Sequence, residues 1–284
     1  MAIKLAPKRR AWVNQRKPDK MKGLALNPNA AIEFRYYGAL SRLIEKMSKE
    51  TESEIKRLFS EPHAKAYFAQ DATISAQTKI AFAKLRASMQ KIFDISATPL
   101  AEAMTNAESL SSAVSLHKSL EKLSGGLKLK TDFISGDLKE ILGATINENV
   151  ALIKSIPSEY FTQIESAVMR SITTGNGMQD LVPFVQKHEG ITLRRARIIA
   201  RDQTRKAFSN LNFARMDKVG IKEYEWLHSA GGQKPRHLHQ RMSGNIYRID
   251  EPPVIDEKTG QRGKPGDLIN CRCRAIPVIK FDAT

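Results

Sequence analysis

Two histidines and two cysteines carry most of the chemistry open to this chain of 284 residues. His237 and His239 close the run Lys234, Pro235, Arg236, His237, Leu238, His239. Cys271 and Cys273, the only cysteines present, lie in the run Asn270, Cys271, Arg272, Cys273, Arg274. Imidazole and thiolate are the soft donors that zinc selects, so His239, Cys271 and Cys273 could hold that metal, with His237 or His228 as a fourth ligand. The familiar zinc pattern, however, places two residues between paired cysteines rather than one. In a second reading no cofactor is held, the cysteines are small buried hydrophobes, and His239 and Arg236 hydrogen-bond the backbone of the intervening loop. A third makes a cysteine the nucleophile, His239 its base and Arg236 the oxyanion partner. No acid stands in an orienting position for that, so no catalytic residue is assigned. A disulfide across one residue would be tight and would constrain almost no chain entropy.

These side chains need elements to bring them together. The 31 residues between His239 and Cys271 are rich in turn formers: Ser243, Gly244 and Asn245, then Pro252 and Pro253, Thr259 and Gly260, and Pro265 and Gly266. Closing such a loop costs entropy that its few apolar residues do not offset, so its ends need a specific tie. Residues 247–249 and 275–279 are short apolar runs of strand type, which predicts a small sheet carrying the histidine and cysteine ends.

Upstream the pattern is helical. Tyr36, Leu40, Leu43, Ile44, Met47, Ile55 and Leu58 recur at three- and four-residue spacings until Pro62. A second helix is predicted over 71–93. A third starts at Thr98 and Pro99 and ends at Gly125 and Gly126. Helices then follow from Gly136 to Ile153, from Tyr160 to Ile172 after a corner at Pro157, and over 178–187 before Gly190. The last long helix covers 192–218. On it Arg194, Arg197, Arg201 and Arg205 share one face, opposite a stripe of Leu193, Ala196, Ala200, Ala207, Leu211 and Ala214. That arginine face is either an ordinary solvated surface or a grip on phosphate or carboxylate. The reading is therefore mainly α, with an elongated helical N-terminal and middle region and a small α+β C-terminal domain. Its parts are a basic extended arm over 1–26, a long-helix region over 27–126, a helical domain over 127–220 and the small domain over 221–284.

Charge points to polyanions. Lys and Arg number 46 against 30 acids, a net of +16. Residues 1–24 hold eight basic side chains against Asp19, a local net of +7, with Lys8, Arg9, Arg10, Arg16 and Lys17 at its centre. Residues 190–220 hold eight against Asp202 and Asp217. An arm of this kind either stays solvated or lies along DNA or a partner subunit. No run approaches eighteen apolar residues, and no hydrophobic segment follows the basic start. The expectation is thus neither a membrane span nor a secretory signal. No phosphate-cradling glycine loop and no base-reading motif is visible.

The order Trp226, Arg236, His239, Gly244, a Pro-Gly-rich loop, Asn270, Cys271, Arg272, Cys273, then Pro277 and Val278 resembles the C-terminal region of phage minor head proteins typified by phage Mu protein F. Residues 149–157 and 196–204 extend the resemblance, which covers about half the chain. The chain departs from that pattern at Gly231, Gly232 and Gln233, where an acid is usual, and at Asp202, Gln203 and Thr204, where a Thr-Glu pair is usual. The resemblance implies a structural, non-enzymatic protein of a tailed phage or prophage acting in head morphogenesis at or near the portal. It also implies the portal protein and major capsid or scaffold proteins as partners. Location would be the virion, in the capsid interior or at the portal vertex, reached through the host cytoplasm. Double-stranded DNA is a further partner suggested by charge. The alternative from another class is a nuclease or toxin-like enzyme built on Arg236, His239, Cys271 and Cys273.

Overall fold

The computed structural model describes residues 20–59, 71–124, 130–174, 178–231 and 234–280. Among them are five helices: α1 (Ala30–Leu58), α2 (Asp71–Ser124), α3 (Gly136–Thr174), α4 (Met178–Lys218) and the short α5 (His237–Met242). Four strands accompany them: β1 (Lys20–Lys22), β2 (Glu223–Leu227), β3 (Ile246–Arg248) and β4 (Arg274–Lys280). They form one antiparallel sheet in the order β1-β4-β2-β3. The class is mainly α with a small α+β part.

Several expected breaks do not occur. Pro99 lies inside α2, Pro157 inside α3 and Gly190 inside α4, which also carries Pro183 within the helix expected over 178–187. An internal proline removes one backbone donor and crowds the carbonyl four residues earlier. Here the turns on both sides of each site are anchored by burial. Phe93, Ala97 and Ala101 are fully buried around Pro99, and Ile153, Ile156, Tyr160 and Phe161 around Pro157. That packing outweighs the local preference. The two helices expected over 71–124 are therefore one, as are the pairs expected over 136–172 and 178–218. The glycines at 175–177, and Gly125 and Gly126, lie outside the described residues.

The chain falls into two compact units. One draws on 34–103 and 146–200, and the elements described in it are all helices. Its α1 face is the one the spacing predicts, with Leu40, Ile44, Met47 and Ile55 buried completely. Tyr36 donates its hydroxyl to Asn149 Oδ1 at 2.9 Å inside it.

The other unit draws on 1–33, 104–145 and 201–284, and contains the sheet. The long segments expected as 27–126 and 127–220 thus each contribute to both units. The core of this second unit joins Leu116 and Leu120 of α2, Phe208, Phe213 and Met216 of α4, and Tyr224 and Trp226 of β2. Arg215 is buried with them and donates to Thr131 O (3.0 Å), Ser109 Oγ (3.0 Å) and Ser112 Oγ. Its planar fork satisfies three acceptors at once, which explains a buried guanidinium.

Of the arm expected over 1–26, residues 1–19 lie outside the described residues, and 20–26 belong to the fold. Lys20, Met21 and Lys22 pair with Lys280, Ile279 and Val278. The Gly23 and Leu26 amides donate to Pro277 O and Ala275 O, each at 2.9 Å, and Leu26 is buried. Ser119 Oγ both accepts from Leu24 N and donates to Leu24 O at 2.9 Å. The lysines that read as part of a charged tail are held: Lys20 meets Glu223 at 3.0 Å, and Lys22 meets Glu225.

Candidate metal centre beside an arginine-lined cleft

Three elements deliver the histidine and cysteines to one point. Strand β2 places Trp226, fully buried, in the core. The chain then turns back through α5, whose helical twist sends His237 to solvent and His239 inward, with only 2% of the latter exposed. Gly244 makes the following turn at a φ of 88°, and its amide donates to Trp226 O at 2.8 Å. That backbone region favours glycine. The Trp226 and His239 rings meet edge to face with centroids 5.1 Å apart.

The cysteines arrive from the other side, immediately before β4. Asn270 turns the chain with a φ of 61°, a left-handed conformation that asparagine tolerates better than most residues. Its amide donates to Asp202 Oδ1 at 2.8 Å, and Arg201 Nη1 donates to Asn270 Oδ1 at 3.4 Å. Cys271 then donates its own amide to Leu268 O at 2.9 Å. Cys271 is buried, Cys273 is half-buried, and both are free thiols. His239 Nδ1 lies 3.7 Å from Cys271 Sγ and 3.6 Å from Cys273 Sγ, while His239 Nε2 lies 3.0 Å from Ile255 O. A carbonyl can only accept, so Nε2 carries the proton and Nδ1 presents its lone pair to both sulfurs.

The electrostatics follow from that geometry. The paired thiols split their titration: Cys271 is lowered, first by its hydrogen bond with Cys273 and then by His239. Cys273 is raised by the same partnership and by burial. One thiolate hydrogen-bonded by its neighbour is favoured over two. Asp202 is raised by burial, against the pull of the Asn270 amide and of Arg201 and Arg205.

The donor atoms of His239, Cys271 and Cys273 lie within 4.8 Å of one another, and this is the group of ligating side chains found among the described residues. Neither His237 nor His228 belongs to it. His228 is engaged through its backbone amide, which donates to Ser243 Oγ at 3.1 Å. Arg236 is exposed, with Nη2 donating to Ile269 O at 3.1 Å. That bond braces the loop that carries the cysteines.

Beside the cluster is a cleft of about 310 Å³, lined in part by Arg205, Arg272, Arg274, Asn212, Cys271 and Cys273. Arg272 donates to Gly231 O and Arg274 to Asn27 Oδ1. Of the arginine row read along α4, Arg201 and Arg205 share Glu33 at 3.5 and 3.6 Å. The Arg197 guanidinium stacks over the Tyr37 ring at 4.7 Å, and Arg194 is exposed. The row is therefore divided between internal partners and solvent. The cations Lys8, Arg9, Arg10, Arg16 and Lys17 lie outside the described residues. Sequence reasoning missed Asp202 and Ile255 as partners: a backbone carbonyl has no residue signature, and Asp202 reads only as a departure from a motif.

Residues 162–276 match the family model described as Phage Mu protein F like protein. An uncharacterized protein of Haemophilus influenzae is 35% identical to this chain over 145 residues, which cover 51% of the chain and 31% of that relative. The chain thus spans about a third of the length of the curated relative it matches. The matched stretch contains Trp226, the α5 histidine, Gly244 and both cysteines, the same residues that carried the resemblance in the sequence, so over residues 162–276 this chain is similar to the Phage Mu protein F-like family.

Proposed function

We propose that this chain is a structural minor head protein of a tailed phage or prophage, acting in head morphogenesis at or near the portal. The observation that carries the reading is the family match over 162–276, which takes in β2, β3, α5, the Cys-Arg-Cys segment and the start of β4. Charge supports a polyanionic neighbour: a net of +16, with +7 in residues 1–24, suits packaged double-stranded DNA or an acidic face of the portal or capsid proteins. Among the described residues no helix is long and apolar enough to cross a membrane.

An enzymatic role finds less support. The His239 Nε2 proton is committed to a backbone carbonyl and Nδ1 faces the buried Cys271 and half-buried Cys273 sulfurs, so His239 offers no free nitrogen to a water or hydroxyl nucleophile, and no Asp or Glu joins the group among the described residues.

The test is made on particles. Phage heads are purified after induction, the protein is sought in them by mass spectrometry, and its density is located at the vertices. The proposal expects the chain in the particle at the portal vertex, and defective heads when its gene is deleted. Normal heads without it, or degradation of nucleic acid by the purified chain that stops in His239→Ala, would overturn it.

A further inference from the structure

The geometry points to a zinc site formed by His239 Nδ1, Cys271 Sγ and Cys273 Sγ, with the fourth position left to water or to a ligand entering from the arginine-lined cleft. The distances carry the argument. Zinc bonds of about 2.3 Å to sulfur and about 2.0 to 2.1 Å to nitrogen, set at a tetrahedral angle, require a nitrogen-to-sulfur separation of about 3.6 Å. The two observed separations are 3.7 and 3.6 Å. With all three donor atoms within 4.8 Å of one another, a single ion between them is in reach of all three.

The surroundings have the form of an oriented ligand shell. A histidine that binds metal through one nitrogen normally donates the other N–H to a carbonyl or carboxylate, which fixes tautomer and ring plane. His239 Nε2 stands 3.0 Å from Ile255 O, and Trp226 packs edge-on against the ring. Charge balance also favours the ion. Binding releases the thiol protons to solvent, and Zn²⁺ with two thiolates and a neutral imidazole carries no net charge, the arrangement that burial tolerates best. Two thiolates and an imidazole select zinc over oxygen-seeking magnesium, calcium or manganese. The donor group contains no fourth His, Cys, Asp or Glu among the described residues. Both cysteines also line the cleft with Arg205, Arg272 and Arg274, so the remaining position has a neighbouring space through which an anion or water can enter. The site ties the start of β4 to α5 and closes the 31-residue loop between His239 and Cys271. It does not depend on the head-protein reading.

The experiment uses the full chain, reduced and freed of metal with a chelator, then titrated with Co²⁺ and afterwards with Zn²⁺. One equivalent of Co²⁺ should produce thiolate-to-metal charge-transfer bands and the visible bands of a four-coordinate ion, and one equivalent of Zn²⁺ should bleach both. Cys271→Ser/Cys273→Ser should lose the charge-transfer bands and at least about 100-fold in affinity, and His239→Gln should weaken binding by at least about 10-fold. Elemental analysis of the untreated protein should find about one zinc per chain. Because the titration of the unaltered chain stands by itself, a variant that fails to fold does not remove the test. Failure of the reduced chain to develop thiolate-to-cobalt bands overturns the site, as does stoichiometric zinc retained by the folded double-serine variant. Absence of the protein from phage particles would leave this result untouched, so the two readings fail separately.

Discussion

The Asn270 amide donates to Asp202 Oδ1 at 2.8 Å, and Asn270 holds a left-handed backbone while doing so. That bond joins α4 to the turn that aims Cys271 and Cys273 at His239. Asn270→Val should cost about 1 to 3 kcal/mol, because a β-branched residue is strained in this region, whereas Asn270→Gly should cost less. Asp202→Ala should cost about 0.5 to 1.5 kcal/mol by removing the acceptor of the exposed Asn270 amide, which water can then satisfy. Denaturant titration of the three variants checks the ranking, and equal losses for Asn270→Val and Asn270→Gly would show that the turn is not what asparagine supplies.

Glu108 predicts a pH dependence. It is fully buried, neither carboxylate oxygen has a hydrogen-bond partner among the described residues, and its pKa is pushed up to about 8, first by burial and then by Glu33, against the attraction of Arg205. A carboxyl whose folded pKa lies above its unfolded value contributes stability that is complete below the unfolded pKa and is lost as pH rises through the folded one. Stability should therefore fall between about pH 4.5 and pH 8. Glu108→Gln should flatten that slope and leave the acidic end nearly unchanged. A slope identical in both proteins would mean that Glu108 ionises normally.

Arg215 should be among the most sensitive positions in its unit. Arg215→Ala leaves Thr131 O and two serine hydroxyls without their donor in a buried setting, at a cost of at least about 3 kcal/mol. Arg215→Lys should recover part of this, because an ammonium cannot reproduce the fork. Thermal melts decide it: an alanine variant that melts with the parent would show that solvent reaches the site.

The N-terminal segment divides at the start of β1. Removing residues 1–19 should leave the melting curve in place, while removing 1–26 also takes away the pairings of Lys20 to Lys22 and the buried Leu26. That second deletion should cost about 2 to 5 kcal/mol. Equal curves for both would show that β1 contributes nothing.

Any binding of DNA should be independent of sequence and steeply salt-dependent, since it would rest on cations releasing counterions from phosphate. Arg194→Gln should lower the salt slope without changing the melt. Arg201→Gln and Arg205→Gln should each lower stability by up to about 1 kcal/mol, because both arginines are paired with Glu33. Tight, sequence-selective binding that persists at high salt would contradict this.

What the amino-acid order by itself determined was the periodic and the local. The α1 stripe of Leu40, Ile44, Met47 and Ile55, the strand at Ala275 to Ile279 and the turn at Gly244 all follow from spacing and backbone preference, which are properties of neighbours along the chain. The resemblance, too, was legible in Arg236, His239, Asn270, Cys271 and Cys273. Tertiary structure alone decided the rest. Pro99, Pro157 and Gly190 read as breaks because propensity is local, and they are carried through because buried side chains on both sides hold the helix. Residues 20–26 read as tail because three residues of strand have no signature until β4 lies beside them. Which nitrogen of His239 faces the sulfurs was settled by a carbonyl at Ile255, a group every residue possesses and only the fold can place.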